Sequence, residues 1–99
     1  MSLFAKDIAQ KKSSFDRDGF CLFHALIPPE LLTRVVPRMD AVVSGEYASG
    51  VSPYAVHFSS DDPIEKLRKI DQPHLSDPVI YELISHEMIG KAIAELLNA

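Results

Sequence analysis

Four histidines, one cysteine and fourteen Asp and Glu residues are the side chains of this sequence that could bind a metal or move a proton. Spacing decides which of them can work together. Cys21 and His24 stand three apart in the apolar run Phe20–Ala25, which reads as a strand. Side chains three apart on a strand point to opposite faces, so the pair cannot share one metal. The expectation there is a buried, inert Cys21 and a hydrogen-bonded His24 near the end of the strand. His57 precedes Ser59-Ser60-Asp61-Asp62 in a turn-rich connector. A loop could bring His57 to Asp61, but nothing local fixes their geometry, and a solvated loop is the preferred reading. His74 and Asp77 are also three apart, whereas a metal-binding His-x-Asp pair on a strand needs a spacing of two. His86 and Glu87 are adjacent, so on a helix their directions diverge by about 100°. A small metal-dependent enzyme built on His57, His74 and nearby carboxylates is therefore the reading that spacing favours least. The sequence also contains no glycine-rich phosphate loop, no G-x-S-x-G and no H-E-x-x-H.

The elements that would position these groups can be read along the chain. Leu3, Phe4, Ile8 and then Phe15 have helical spacing, and Asp16, Asp18 and Gly19 should end that helix. Phe20–Ala25 follows as the expected strand, apolar on both faces and so expected to be covered on both. Pro28-Pro29-Glu30 opens a second helix, in which Leu31, Leu32, Val35, Val36, Met39, Val42 and Val43 recur with a period of 3.6. Pro37 should kink it, and Gly45 and Gly50 mark its end. Residues 47–63 form a turn-rich connector with one apolar patch, Tyr54-Ala55-Val56. Residues 64–70 fit either a short helix or a strand. Asp77-Pro78 is a helix start, with Asp as N-cap and Pro at the first helical position. The stripe from Val79 to Leu97 should break near Ser85-His86. The fold class is mainly α with one or two short strands, an α+β arrangement within a single small domain spanning 1–99.

Composition narrows the function. The chain has 99 residues, is 46% hydrophobic and carries a net charge of −4 with its ten Lys and Arg scattered. A nucleic-acid groove would need an uncompensated basic face, so no nucleic-acid partner is expected. No apolar run approaches the roughly 18 residues that cross a bilayer, and the N-terminus lacks the apolar core of a secretory signal. The expectation is a cytoplasmic protein with no membrane partner. A lone cysteine excludes an internal disulfide.

The order of motifs adds a resemblance. Asp18-Gly19-Phe20, the apolar Cys21–Ala25, Leu26-Ile27-Pro28 and Glu30-Leu31 resemble the opening of the phytanoyl-CoA dioxygenase family, Fe(II)- and 2-oxoglutarate-dependent oxygenases. Leu67-Arg68-Lys69-Ile70-Asp71-Gln72-Pro73-His74, then Ser76-Asp77-Pro78 and a helix to Leu97, resemble the family's second segment. The likeness runs from about Phe15 to Leu97 and covers the helical N-terminal part of a double-stranded β-helix oxygenase. It implies that the catalytic core, with its His-x-Asp…His iron triad and its 2-oxoglutarate-anchoring arginine, would begin just after residue 99. The expected strand would then join that core's sheet, and the helices would pack outside it. By the same resemblance Lys69 is the candidate contact to 2-oxoglutarate, with Gln72 and His74 facing the same pocket. A solvated Lys69 beside Glu65 and Asp71 is the competing reading. No catalytic or metal-ligating residue is expected in these 99 residues, which should be inactive alone. Iron and 2-oxoglutarate would belong to the full-length family. The alternative is a stand-alone, non-enzymatic binding or dimerisation module. Either way, apolar surface left uncovered predicts self-association or docking on the missing C-terminal core.

Overall fold

The computed structural model describes the backbone of residues 3–99 and the side chains from residue 8 onward. Two compact units emerge, Met1–Pro28 with Ser85–Ala99, and Pro29–Ile84.

In the first unit a long helix, α1 (Leu3–Asp18), packs on the last helix of the chain, Glu87–Leu97. The expected stop is where α1 ends: Gly19 takes φ +81°, and its N–H donates to the Phe15 carbonyl at 2.8 Å. Glycine meets no Cβ penalty in that left-handed conformation, which is why the chain turns there. The expected stripe starts at Leu3 and Phe4, whose side chains lie outside the described residues. Lys12 donates to the Asn98 side-chain carbonyl, joining the middle of α1 to the cap of the last helix. Ala92, 3% exposed, is the buried point of that last helix.

The strand expected at 20–25 does not form. Its residues pair with no strand among the described residues, and Ala25 turns to φ +55°. Phe20 and Leu22 are 62% and 65% exposed. Alternation fixes which side chains share a face, but a strand exists only when a neighbour accepts and donates along its ladder. No such neighbour is present for this segment among the described residues.

In the second unit α2 (Pro29–Val43) buries only part of the apolar stripe that periodicity predicts: Leu31, Val35 and Val42 are each 2% exposed, whereas Leu32, Val36, Met39 and Val43 stay between 39% and 58% exposed. Pro29 begins the helix, and Glu30 in its first turn is favourably placed against the helix dipole. The helix continues through Pro37 in one piece. It closes with a Schellman motif: Glu46 N–H donates to Ala41 C=O at 2.8 Å, and Gly45 N–H, at φ +84°, to Val42 C=O at 3.0 Å. The connector then supplies a short antiparallel hairpin, β1 (Ala55–Val56) against β2 (Ile70–Asp71), in register Ala55 to Asp71 and Val56 to Ile70. The apolar patch of the connector thus becomes β1, and the ambiguous 64–70 segment is strand only at its last residue. A 3₁₀ turn, Pro73–Leu75, leads to α3 (Pro78–Ile84), and after the expected break the last helix, now α4 (Glu87–Leu97), belongs to the first unit.

Asp77 sets the start of α3. One carboxylate oxygen accepts the N–H groups of Val79 at 2.9 Å and Ile80 at 3.4 Å. The other accepts from Arg38 Nε of α2 at 2.6 Å, and the Asp77 side chain is fully buried. The cap is the one read from sequence; the arginine partner, 39 positions away, is not visible there. Arg34–Glu82, at 2.5 Å, is a second tie between α2 and α3, but both side chains are half exposed and such pairs contribute little. Asp77→Ala should lower unfolding stability by about 2–4 kcal/mol, because it removes a cap and strips Arg38 of its buried partner. Asp77→Asn keeps the cap acceptor and should lose roughly half as much. Urea denaturation of the three proteins measures both values; equal losses for the two variants would show that the cap contributes nothing.

Candidate functional site

The residues with most chemical potential converge on the hairpin. His57 leaves β1 with its N–H donating to the Lys69 carbonyl at 2.9 Å, one step beyond the ladder. Across that step its Nε2 lies 2.8 Å from Asp71 Oδ2. Lys69 and Asp71 are two apart, so they share a strand face, and the Lys69 ammonium lies 3.5 Å from Asp71 Oδ1. One carboxylate therefore binds an imidazole and an ammonium on its two oxygens. The His57 hydrogen bond, opposed by partial desolvation and helped by the Lys69 charge, holds the Asp71 carboxyl below its ordinary 3.8. An oriented His–carboxylate pair is a general-base arrangement. No Ser, Thr or Cys hydroxyl or thiol hydrogen-bonds His57 among the described residues, so no nucleophile completes it. What the cluster does by geometry is clamp a two-residue hairpin across its strands.

The other candidates are dispersed. Lys69, proposed by resemblance as a 2-oxoglutarate contact, has its side chain 64% exposed and its ammonium paired with Asp71. Gln72 is exposed at φ +57°, opening the 3₁₀ turn. His74 is half-buried, with its ring tilted against Tyr81 at 6.3 Å between centroids. The structure joins neither to Lys69. Asp61 does not meet His57; its N–H is received by Ser59 Oγ at 3.3 Å, and the carboxylate that His57 does meet is Asp71. Cys21 is a half-buried free thiol, and His24 is exposed rather than the hydrogen-bonded strand residue expected. His86 caps α4, its Nδ1 accepting the Met88 N–H at 3.1 Å, and this cap explains the break that follows α3. Sequence reading missed the His57–Asp71 pair because the two lie 14 positions apart and the hairpin register that joins them was not assigned. The only available signal was the alternation of Tyr54–Val56 beside a short connector.

Among the described residues no three of His, Cys, Asp and Glu form a group able to hold a metal ion, and no step is derived through one. No helix among the described residues is long and apolar enough to cross a membrane.

The second unit also holds two adjoining cavities. The first, about 360 Å³, lies between α2, α3 and β2 and is apolar apart from Arg68. The second, about 520 Å³, runs past the end of α2 and brings in the hydroxyl residues Ser44, Tyr47 and Ser60. Val42, Val43 and Arg68 line both. Among known proteins, the chain matches no family model, no curated protein and no solved structure.

The hairpin clamp has a pH signature. Asp71 and Asp77 both have their folded carboxyls shifted down; burial pushes Asp77 up, but Arg38 and two backbone N–H groups outweigh it. A depressed carboxyl stabilises the fold fully above its unfolded value near 3.8 and loses that contribution as pH falls through the folded value. The urea midpoint should therefore hold between pH 7 and 5 on this account and fall below about pH 4. Asp71→Asn should flatten that acid limb while leaving the α3 cap in place. An acid limb identical in Asp71→Asn and the parent would remove Asp71 from it.

Proposed function

We propose that these residues are the N-terminal, non-catalytic segment of an Fe(II)- and 2-oxoglutarate-dependent oxygenase resembling the phytanoyl-CoA dioxygenase family. The observation that carries the reading is the segment after Gly19. An apolar run, Phe20 to Ala25, leaves α1 at a left-handed glycine, has no sheet partner among the described residues, and holds Phe20 and Leu22 well exposed. An apolar segment of strand composition can be covered by addition to the edge of another sheet, where its backbone groups also find partners. The catalytic sheet of such an oxygenase is the partner that the flanking motifs imply. The succession of a helix, Asp18-Gly19-Phe20, a Pro29-Glu30 helix start and an Asp77-Pro78 helix start supports the same reading. In this role the chain supplies apolar cover and an edge segment, while iron, co-substrate and substrate are handled by the core. Lys69 would contribute a charge toward 2-oxoglutarate only by exchanging Asp71 for the co-substrate carboxylate.

A second reading, a binding or dimerisation module, has its own support in the first unit. Ile93 and Leu97 of α4 are 51% and 59% exposed, an apolar face that a second copy would cover.

The intact mass of the gene product in its source cells separates the two. A mass exceeding 11.0 kDa by at least one further domain of about 100–200 residues is expected for the oxygenase segment. The full-length product should then consume 2-oxoglutarate with iron, and the 99-residue chain should not. A native product of 11.0 kDa, or iron-dependent turnover by the 99 residues alone, would overturn the proposal.

A further inference from the structure

The second unit contains five Lys and Arg residues, and four of them are matched to carboxylates. Arg34 pairs with Glu82, Arg38 with Asp77, Lys66 with Asp62 at 3.1 Å, and Lys69 with Asp71. Arg68 is the exception: among the described residues no ion pair holds it. Its guanidinium instead lies over the Phe58 ring, 5.0 Å from the centroid, which fixes its direction without neutralising it. Its charge is felt at the carboxylate of Asp62. That group is already committed to Lys66 and to the Ser59 N–H at 2.6 Å.

Arg68 also stands where the two cavities meet. On one side is the apolar groove, floored by buried Val35, Val42 and Ile80 and walled by half-exposed Met39, Val43 and Ile84. On the other side the second cavity is lined in part by the hydroxyl-bearing residues Ser44, Tyr47 and Ser60. The α2 carbonyls of Asp40, Ala41 and Val42 near that side are each taken by a following N–H, so the helix end is closed by its own backbone bonds. An apolar slot, a fixed and unmatched cation at its mouth, and hydroxyls beyond it form a polarity gradient. The volume of the groove falls in the roughly 300–1,000 Å³ range of small-molecule sites.

We infer that the second unit binds a free, single-chain aliphatic amphiphile with one anionic head, its tail between α2 and α3 and its head on Arg68. A neutral apolar molecule would leave the guanidinium unmatched. A cation would face it directly, and a dianion would require a second free positive charge that the unit lacks. The site uses residues of the second unit alone and stands or falls independently of the oxygenase reading.

The test is titration of the isotope-labelled chain with decanoate below its micelle threshold, read by amide and methyl shifts and by calorimetry. Decanol, decyltrimethylammonium and vesicles of an anionic phospholipid serve as comparisons. Decanoate should bind saturably, with shifts concentrated at residues 35–43, 68–73 and 80–84. Decanol should bind about tenfold more weakly, the scale of one charge-assisted contact. Arg68→Gln should erase that difference, and Arg68→Glu should turn the preference toward decyltrimethylammonium. Met39→Glu, a change at a position 52% exposed, should abolish decanoate binding without altering the far-ultraviolet spectrum. Decanoate and decanol binding alike, or Arg68→Gln leaving their ratio unchanged, would reduce the groove to an unspecific apolar patch. Shifts outside the groove, or binding to vesicles but not to free decanoate, would also overturn the assignment.

Discussion

The buried Asp77 carboxylate is the interaction on which the second unit depends. Taking a carboxylate out of water is costly unless both oxygens are matched, and this one is matched on each side. One oxygen receives two N–H groups from the first turn of α3; the other receives Arg38 from α2. A local signal, the N-cap, and a distant one, the ion pair, therefore meet on a single functional group. α2 and α3 pack together, with Val35, Val42 and Ile80 buried along the groove between them, and this group ties the two helices at one register. Hydrophobic burial alone would tolerate a sliding of one helix on the other. A hydrogen-bonded charge pair does not, because any shift leaves a buried charge unmatched.

That division between local and distant signals also explains what could be read from the residues. The α2 stripe, the glycine stop after α1, the Asp77-Pro78 start and the break near Ser85-His86 are all properties of a few consecutive residues, and each lies where spacing and capping chemistry put it. The segment 20–25 differs in kind. Its alternation is sound, but a strand is a property of two segments, and its partner is not among the described residues. The hairpin shows the converse. Ala55–Val56 and Ile70–Asp71 are too short to announce themselves, and they exist because each supplies the other's ladder.

The candidate site was less legible than the fold, for the same reason. His57, Lys69, Asp71 and Arg38 are polar residues whose roles depend on pairing across 2 to 39 positions, and composition says nothing about which pairs form. Resemblance drew attention to Lys69 but could not show that Asp71 and His57 would claim the same corner of the hairpin. Asp71 therefore bears on the oxygenase reading. A carboxylate that already holds an ammonium competes with any co-substrate carboxylate for Lys69.

Charge matching separates Arg68 from Lys69, although the two are adjacent in sequence. Lys69 projects to the face of β2 that carries Asp71 and closes a local network. Arg68, two residues before β2, lies over Phe58 and lines the apolar groove. An aromatic face holds a guanidinium in place without supplying a full counter-charge, so the cation keeps its capacity to bind an anion. Of the two neighbours, the one chosen by resemblance is already matched within the fold. The other, shared by an apolar groove and a second cavity lined in part by Ser44, Tyr47 and Ser60, is the one whose surroundings call for a ligand.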